Sequence, residues 1–133
     1  MLTGTCHCGA VRISLSERPQ SLIDCNCSIC RRIGGLWTYH HPKHVKIACE
    51  PGATLVYVWG DRMLELNTCR TCGCTTHWEP VKKEGAERMG INARMMEPSV
   101  IAGLKVRVFD GADTWKPLGW RVHPPQYSST IDD

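Results

Sequence analysis

Residues 4–15 read GTCHCGAVRISL, and this segment joins two cysteines directly to a β-strand. Val11, Ile13 and Leu15 alternate with polar residues, a period of two that is typical of a half-buried strand. Cys6 and Cys8 precede the strand at a spacing that, in extended backbone, directs both sulfur atoms to one side. The segment therefore predicts a β-protein in which one strand end carries two thiol ligands.

A second cysteine pair stands far along the chain, in CRTCGC at residues 69–74. Cys69 and Cys72 have knuckle spacing, and Gly73 allows the backbone to turn and point amides at the sulfur atoms. With the first pair they supply four thiolates, the ligand set that zinc favours in structural sites. The alternatives are buried free thiols, or another soft metal such as an iron–sulfur cluster.

A third group, CNCSICRR at residues 25–32, contains Cys25, Cys27 and Cys30. Three sulfur atoms on one zinc ion leave a fourth position open, as in catalytic sites, and that position can accept water or a thiol. Arg31 can contact a substrate carboxylate, whereas Arg32 is equally consistent with a solvated surface. The alternative for the three cysteines is a redox trio that forms a disulfide on oxidation.

The other cysteines and histidines carry weaker predictions. Cys74 either exchanges with a ligand or packs in a strand against the metal loop, which is the favoured interpretation, and Cys49 is expected to be a core thiol. His77 is an outside candidate for the open zinc position, and His7 is not counted as a ligand. Three further histidines have loop spacing and are expected to be solvated: His40, His41 and His44.

The rest of the chain predicts short strands and little helix. Strands are expected over residues 36–41, 45–47, 54–59, 63–68, 75–79, 87–96 and 106–109. Residues 98–104 predict one or two helical turns, with Pro98 at the first position. We expect one mainly β, antiparallel domain over residues 1–133, in which a tail from about residue 121 wraps the surface or frays.

Composition limits the class of protein. The apolar fraction of 42% and the charged fraction of 22% are those of globular domains, and the 133 residues suit one domain. The formal charge of +3 falls once thiolates bind metal, and no basic block predicts nucleic-acid binding. Without a secretory leader or an apolar span, we expect a cytoplasmic protein without a membrane partner, in which reduced cysteines favour metal over disulfides.

In their order along the chain, GTCHCGAVRISL, CNCSICRRIGG and CRTCGC resemble the family of glutathione-dependent formaldehyde-activating enzymes and centromere protein V domains. Two later segments, GINARMMEP and VFDGADTW, are also similar to segments of that family. The resemblance spans most of the chain. The order of the three cysteine motifs is more specific than any of them alone.

The resemblance implies a β-tent fold related to zinc ribbons, with two zinc ions. Cys6, Cys8, Cys69 and Cys72 match the family's structural zinc ligands, and a second, more labile zinc matches Cys25, Cys27 and Cys30. The implied activity is that of a carbon–sulfur lyase that joins glutathione to formaldehyde. A binding module without turnover, as in the centromere branch, and a thiol redox or zinc-release sensor are the alternatives.

Overall fold

The computed structural model describes residues 1–124 and folds them into two β-sheets. The smaller sheet has three strands, β1 (Leu2–Thr5), β2 (Arg12–Leu15) and β5 (Val45–Ala48). The larger sheet has eight: β3 (Leu22–Cys25), β4 (Trp37–His40), β6 (Thr54–Tyr57), β7 (Leu64–Cys69), β8 (Thr75–Pro80), β9 (Met89–Asn92), β10 (Lys105–Phe109) and β11 (Pro117–Val122). Two single-turn helices, α1 (Cys30–Ile33) and α2 (Pro98–Ile101), and two 3-10 turns, Pro42–His44 and Ala93–Met95, lie between strands.

The larger sheet runs in the order β11-β10-β3-β4-β9-β8-β7-β6. Its neighbouring strands are antiparallel except β10 and β3, which pair in parallel with Phe109 beside Cys25. Parallel neighbours require a long crossover, and here most of the chain lies between the two strands. The pairing brings the segment that follows Phe109 to the loop that follows Cys25.

The main hydrophobic core lies between the two sheets. Ile13 and Leu15 of the smaller sheet pack in one cluster with Leu22, Ile91 and Val106 of the larger sheet, and all five are fully buried. Complete burial of such a side chain contributes about 1.5–3 kcal/mol to folding. The core therefore fixes β2 and β3, whose ends adjoin the cysteine segments.

The opposite face of the larger sheet, which we call the outer face, carries a second cluster built from aromatic residues. Trp37, Leu66 and Trp78 are buried there, and Ile29 and Ile33 from the α1 region pack against them. Because successive strand residues point to opposite faces, Leu22 lies in the main core while its neighbour Ile23 joins the aromatic cluster. Helix α1 thus covers part of the outer face.

The mainly β, antiparallel, single-domain fold expected from the sequence is confirmed, as is the helical turn at Pro98, whereas the strand predicted over residues 87–96 is limited to β9 and is followed by the 3-10 turn Ala93–Met95. Three strands were not predicted: β1, which precedes the cysteine pair, β3, which leads into the second cysteine group, and β11, which extends two residues into the predicted tail. The rest of that tail, residues 125–133, lies outside the described residues. Within residues 1–124, no helix has the length and apolar character needed to cross a membrane.

Candidate metal centres

The first cysteine cluster joins two distant parts of the chain. Cys6 and Cys8 lie between β1 and β2, Cys69 ends β7, and Cys72 lies in the turn before β8. The four sulfur atoms lie within 4.8 Å of one another, and Cys8 Sγ is 3.7 Å from Cys6 Sγ and 3.6 Å from Cys69 Sγ. Tetrahedral ligation with Zn–S bonds of 2.3 Å sets sulfur atoms about 3.8 Å apart. The geometry fits one such ion.

Two tight turns shape this cluster. Gly9 has φ of 84° and Gly73 has φ of 79°, the left-handed conformation that favours glycine, and each follows a cysteine of the cluster. In each turn the glycine N–H donates to the carbonyl of the first cysteine, at 3.1 Å to Cys6 and 2.9 Å to Cys69. The two cysteine segments therefore adopt related knuckles that face each other.

Backbone amides converge on the sulfur atoms. The N–H of Val11 donates to Cys6 Sγ at 3.3 Å, and the amides of Thr71 and Cys72 donate to the sulfur of Cys69. Such donors favour the thiolate form, and their arrangement around metal-bound sulfur is a recurrent second layer of support. The donor set therefore fits a soft cation bound by four thiolates.

The pKa values in this cluster move in opposite directions. The N–H groups of Cys74 and Cys8, with nearby thiols, lower the pKa of Cys72 to about 5. For Cys8 the N–H of Ala10 acts to lower the pKa, but desolvation and three neighbouring thiols raise it to about 11. Four adjacent sulfur atoms cannot all ionise without a compensating charge, because like charges repel. A divalent cation bound by these cysteines would supply that charge.

The second cluster lies at the edge of the outer face. Cys25 ends β3, Cys27 follows in the loop, and Cys30 begins α1; all three are half-buried, and their sulfur atoms lie within 4.8 Å of one another. The N–H of Cys27 donates to Cys25 Sγ at 3.4 Å, and the amides of Cys30 and Ile29 donate to the sulfur of Cys27. These three sulfur atoms can also hold a metal ion.

The thiols of this cluster differ in acidity. Burial acts to raise the pKa of Cys27, but hydrogen bonds from the Cys30 thiol and from backbone amides outweigh it and lower that pKa. Burial, followed by the nearby Cys27 thiolate, raises the pKa of Cys30. The buried indole N–H of Trp37 acts in the opposite direction on Cys30 and has no other hydrogen-bond partner among residues 1–124. Cys27 therefore loses its proton more readily than Cys30.

The loop at residues 110–116, which we call the covering loop, follows β10 and lies over the second cluster. Asn26, between two of the cysteines, donates through Nδ2 to Asp110 Oδ1 at 3.0 Å and accepts at Oδ1 from the Ala112 N–H at 3.0 Å. Asp110 Oδ2 accepts from the Thr114 N–H at 3.1 Å and from its hydroxyl at 2.8 Å. We call these hydrogen bonds the clamp between Asn26 and Asp110. Local sequence patterns could not predict them, although the residues lie in the CNCSIC and VFDGADTW segments.

The other sequence-predicted site residues lie as follows. Arg31 and Arg32 are exposed on α1, and Arg32 donates to the Ser28 carbonyl at 2.7 Å. His77 is buried, shares a 2.8 Å hydrogen bond with the Thr76 hydroxyl, and is 3.5 Å from the carboxylate of Glu79. It pairs in register with Ile91 of the main core, so it lies on the face away from the second cluster.

Cys74 lies beside the first cluster without joining the group of four. It directly precedes β8, packs against Cys6, Val11 and Cys69, and its sulfur accepts from the N–H of His7. This position agrees with the packing role that the sequence favoured for Cys74, although Cys74 precedes the strand.

Two residue predictions were wrong. Cys49 is exposed, because it follows the last residue of β5 and precedes the turn at residues 51–52. His40 is buried rather than solvated, since β4 directs it towards the interior, where it bonds Thr38 and Glu17.

The fold and the two clusters define a class of small β-proteins with cysteine clusters that can hold metal ions. Residues 1–116 match the model of the family described as glutathione-dependent formaldehyde-activating enzyme. The chain belongs to that family, and the matched region contains all nine cysteines.

Two individual proteins are similar to the chain. A Halomonas elongata protein, provisionally named as a glutathione-dependent formaldehyde-activating enzyme, is 50% identical over 36 residues, which are 26% of this chain and 23% of that protein. The match thus spans about a quarter of the curated relative's length. A crystal structure of a Rhodobacter sphaeroides protein superimposes with a TM-score of 0.62 and 32% identity, over 72% of this chain and 88% of that one.

Proposed function

We propose that the chain is a zinc enzyme of the carbon–sulfur lyase type, which adds a small thiol such as glutathione to formaldehyde or a related aldehyde. The observation that carries the proposal is the contrast between the two clusters. Four sulfur atoms complete the tetrahedral set of the first, whereas three half-buried sulfur atoms leave the second one ligand short. Membership of the family supports the thiol and the aldehyde as substrates.

In this proposal the two clusters have different roles. Cys6, Cys8, Cys69 and Cys72 hold a structural zinc that connects the β1–β2 turn to the β7–β8 turn. Cys25, Cys27 and Cys30 hold the second zinc, which when bound would lower the pKa of a thiol at its open position. The backbone amides on Cys27 and the indole of Trp37 hold these sulfur atoms in place.

The reaction is an addition without a leaving group or a change of oxidation state. The sulfur of the substrate thiolate forms a bond to the aldehyde carbon, and the carbonyl π pair moves to oxygen, which takes up a proton. The proton that the thiol loses is thus balanced by the one that the oxygen gains. The three cysteines are half-buried, so a small thiol can reach the site from solvent.

The first test is zinc per chain in protein purified without oxygen, for the wild type, Cys27→Ser, Cys69→Ser and the control Cys49→Ser. Cys49 is exposed and belongs to neither cluster, so its replacement should leave two zinc ions. Cys27→Ser should retain one, and glutathione should perturb only the zinc that this variant lacks. A single zinc that neither Cys27→Ser nor glutathione affects would refute the open site and favour a redox or binding role.

The second test is turnover. Wild-type protein should consume formaldehyde with glutathione faster than the spontaneous reaction, and Cys27→Ser should return the rate to that background. Glutathione binding without any acceleration would contradict the enzyme and favour the binding module. Loss of zinc at peroxide concentrations that oxidise cellular sensor proteins, without turnover, would favour the redox sensor.

A further inference from the structure

The outer face of the larger sheet carries an arginine beside the second cluster. Arg107 of β10 pairs in register with Ile23 of β3, which pairs with Trp37 of β4, so their three side chains lie on one face. Two residues further along, Phe109 pairs with Cys25 on that same face. Arg107 therefore shares a face with a cysteine of the candidate zinc site.

The guanidinium of Arg107 has unused hydrogen-bonding capacity. Its side chain is half-buried, its Nε is buried without a partner, and its Cζ lies 5.3 Å from the centroid of the Phe109 ring. Within residues 1–124 it forms no ion pair with a carboxylate. A buried donor without an acceptor costs free energy, so an anionic ligand that reaches it gains a strong, charge-assisted bond.

A second arginine, Arg88, contacts the ring of Tyr39. Arg88, which precedes β9, is exposed, and its Cζ lies 4.7 Å from the centroid of the Tyr39 ring. That ring packs edge-on against Trp78 at 5.8 Å. Arg88 also lacks a carboxylate partner among the described residues. The aromatic face beside the cysteines is thus bordered by two unpaired positive charges.

Tyr39 lies two residues beyond Trp37 in β4, so its ring lies on the same outer face as Arg107 and Cys25. Burial raises the pKa of its hydroxyl to about 12; Arg88 and Arg107 act to lower it, while Cys30 and Cys25 act to raise it. The charges of both arginines therefore act on the same hydroxyl, in agreement with the face that Arg107 shares with Cys25 and with the contact between Arg88 and the Tyr39 ring. Within residues 1–124, Arg31 of α1 forms no such contact with an aromatic ring of this face.

We propose that Arg88 and Arg107 form a carboxylate-binding subsite next to Cys25, Cys27 and Cys30, which selects thiols that carry a carboxylate. The inference rests on the proposed thiol site and adds the substrate class to it. Guanidinium groups bind carboxylates through paired hydrogen bonds, and aromatic surroundings strengthen these bonds by excluding water. The contact that sequence alone suggested for Arg31 is assigned instead to Arg107 and Arg88.

The experiment uses zinc-loaded protein and a matched pair of ligands, 3-mercaptopropionate and its methyl ester, with glutathione and its diethyl ester as a second pair. Affinity is measured by calorimetry for the wild type, Arg107→Gln, Arg88→Gln and the double variant. Arg32→Gln is the control, because Arg32 is already bonded to the Ser28 carbonyl. Arg107→Lys keeps the positive charge but loses the planar set of N–H donors. This variant therefore separates the effect of charge from that of hydrogen-bond geometry.

The wild type should prefer each acid over its ester by about tenfold or more, the range expected for a charge-assisted hydrogen bond. Arg107→Gln and Arg88→Gln should each reduce that preference, the double variant should abolish it, and affinity for the esters should remain unchanged. A double variant that still prefers acids, or that loses acid and ester equally, would overturn the subsite alone. Failure of the wild type to bind any thiol would overturn the proposed function along with it.

Discussion

Gly111 lies directly against the thiol of Cys25: a Cβ atom at position 111 would be 2.5 Å from Cys25 Sγ and 3.3 Å from Cys27 Cβ. Gly111→Ala must therefore displace either the covering loop or a sulfur atom of the second cluster. Overpacking of this kind costs about 1–3 kcal/mol. We expect the variant to bind its second zinc at least tenfold more weakly while it retains the first, as measured by competition with a chromogenic chelator.

Ala112→Ser is the matched control, because residue 112 is exposed and contacts Asn26 through its backbone N–H. Its zinc affinities should equal those of the wild type. Equal affinities in Gly111→Ala would show that the loop yields without disturbing the sulfur atoms, and would contradict the close contact as a constraint on the site.

The carboxylate of Asp110 holds the covering loop to Asn26. The N–H of Thr114, followed by the Asn26 side chain, keeps the pKa of Asp110 below its ordinary value. A carboxyl group whose pKa is lower in the folded state stabilises the fold above its unfolded pKa, about 3.9, and loses that contribution as the pH falls through the folded value. Asp110→Asn should therefore be less stable than the wild type at pH 6–7, and the difference should shrink below about pH 4.

Chemical denaturation at several pH values measures this difference, and the zinc content of both proteins is determined at each pH so that acid release of metal is accounted for. Asp113→Asn is the control, since Asp113 is exposed and its carboxylate forms no hydrogen bond or ion pair within the described residues. A stability difference between Asp110→Asn and the wild type that is independent of pH would contradict a role for the charge.

The cysteine clusters could be predicted because the cysteines occur in short groups whose spacing is typical of metal ligands, although the first cluster joins two such pairs from distant parts of the chain. The clamp between Asn26 and Asp110 joins residues 84 positions apart, and a local pattern cannot report such a pairing. The edge strand β11 begins at Pro117 and contains Gly119, both unfavourable in strands, so its pairing with β10 overrides local propensity. His40 was misassigned because its carboxylate partner, Glu17, lies in a different segment.

The first cluster should carry much of the stability of the fold. It connects the turn after β1 to the turn after β7, and structural zinc contributes about 10–16 kcal/mol in small domains, comparable to the whole stability of a typical domain. Cys69→Ser should therefore unfold, or lose cooperative unfolding, under conditions in which Cys49→Ser behaves as wild type. Calorimetry with and without a chelator measures this. A chelator that removes all zinc without lowering the melting temperature would exclude a structural role.

Two hydrogen bonds that link Thr38 and His40 of β4 to Glu17 give a prediction that does not depend on metal. Thr38 and His40 are 3% and 5% exposed; the Thr38 hydroxyl lies 2.9 Å from His40 Nε2, and His40 Nδ1 lies 2.8 Å from a carboxylate oxygen of Glu17. Thr38→Val preserves the shape of the side chain but leaves a ring nitrogen without its partner. Such a loss costs about 1–3 kcal/mol when the group is buried.

Urea denaturation should show a lower midpoint for Thr38→Val with an unchanged slope, because the surface exposed on unfolding stays the same. Thr3→Val is the matched control: Thr3 is an exposed strand residue in β1, where the same change removes a hydroxyl that faces water. If the urea midpoint falls equally in both variants, the effect comes from strand propensity. A shift confined to Thr38→Val assigns it to the hydrogen bond, and zinc content should remain unchanged because both residues lie outside the cysteine clusters.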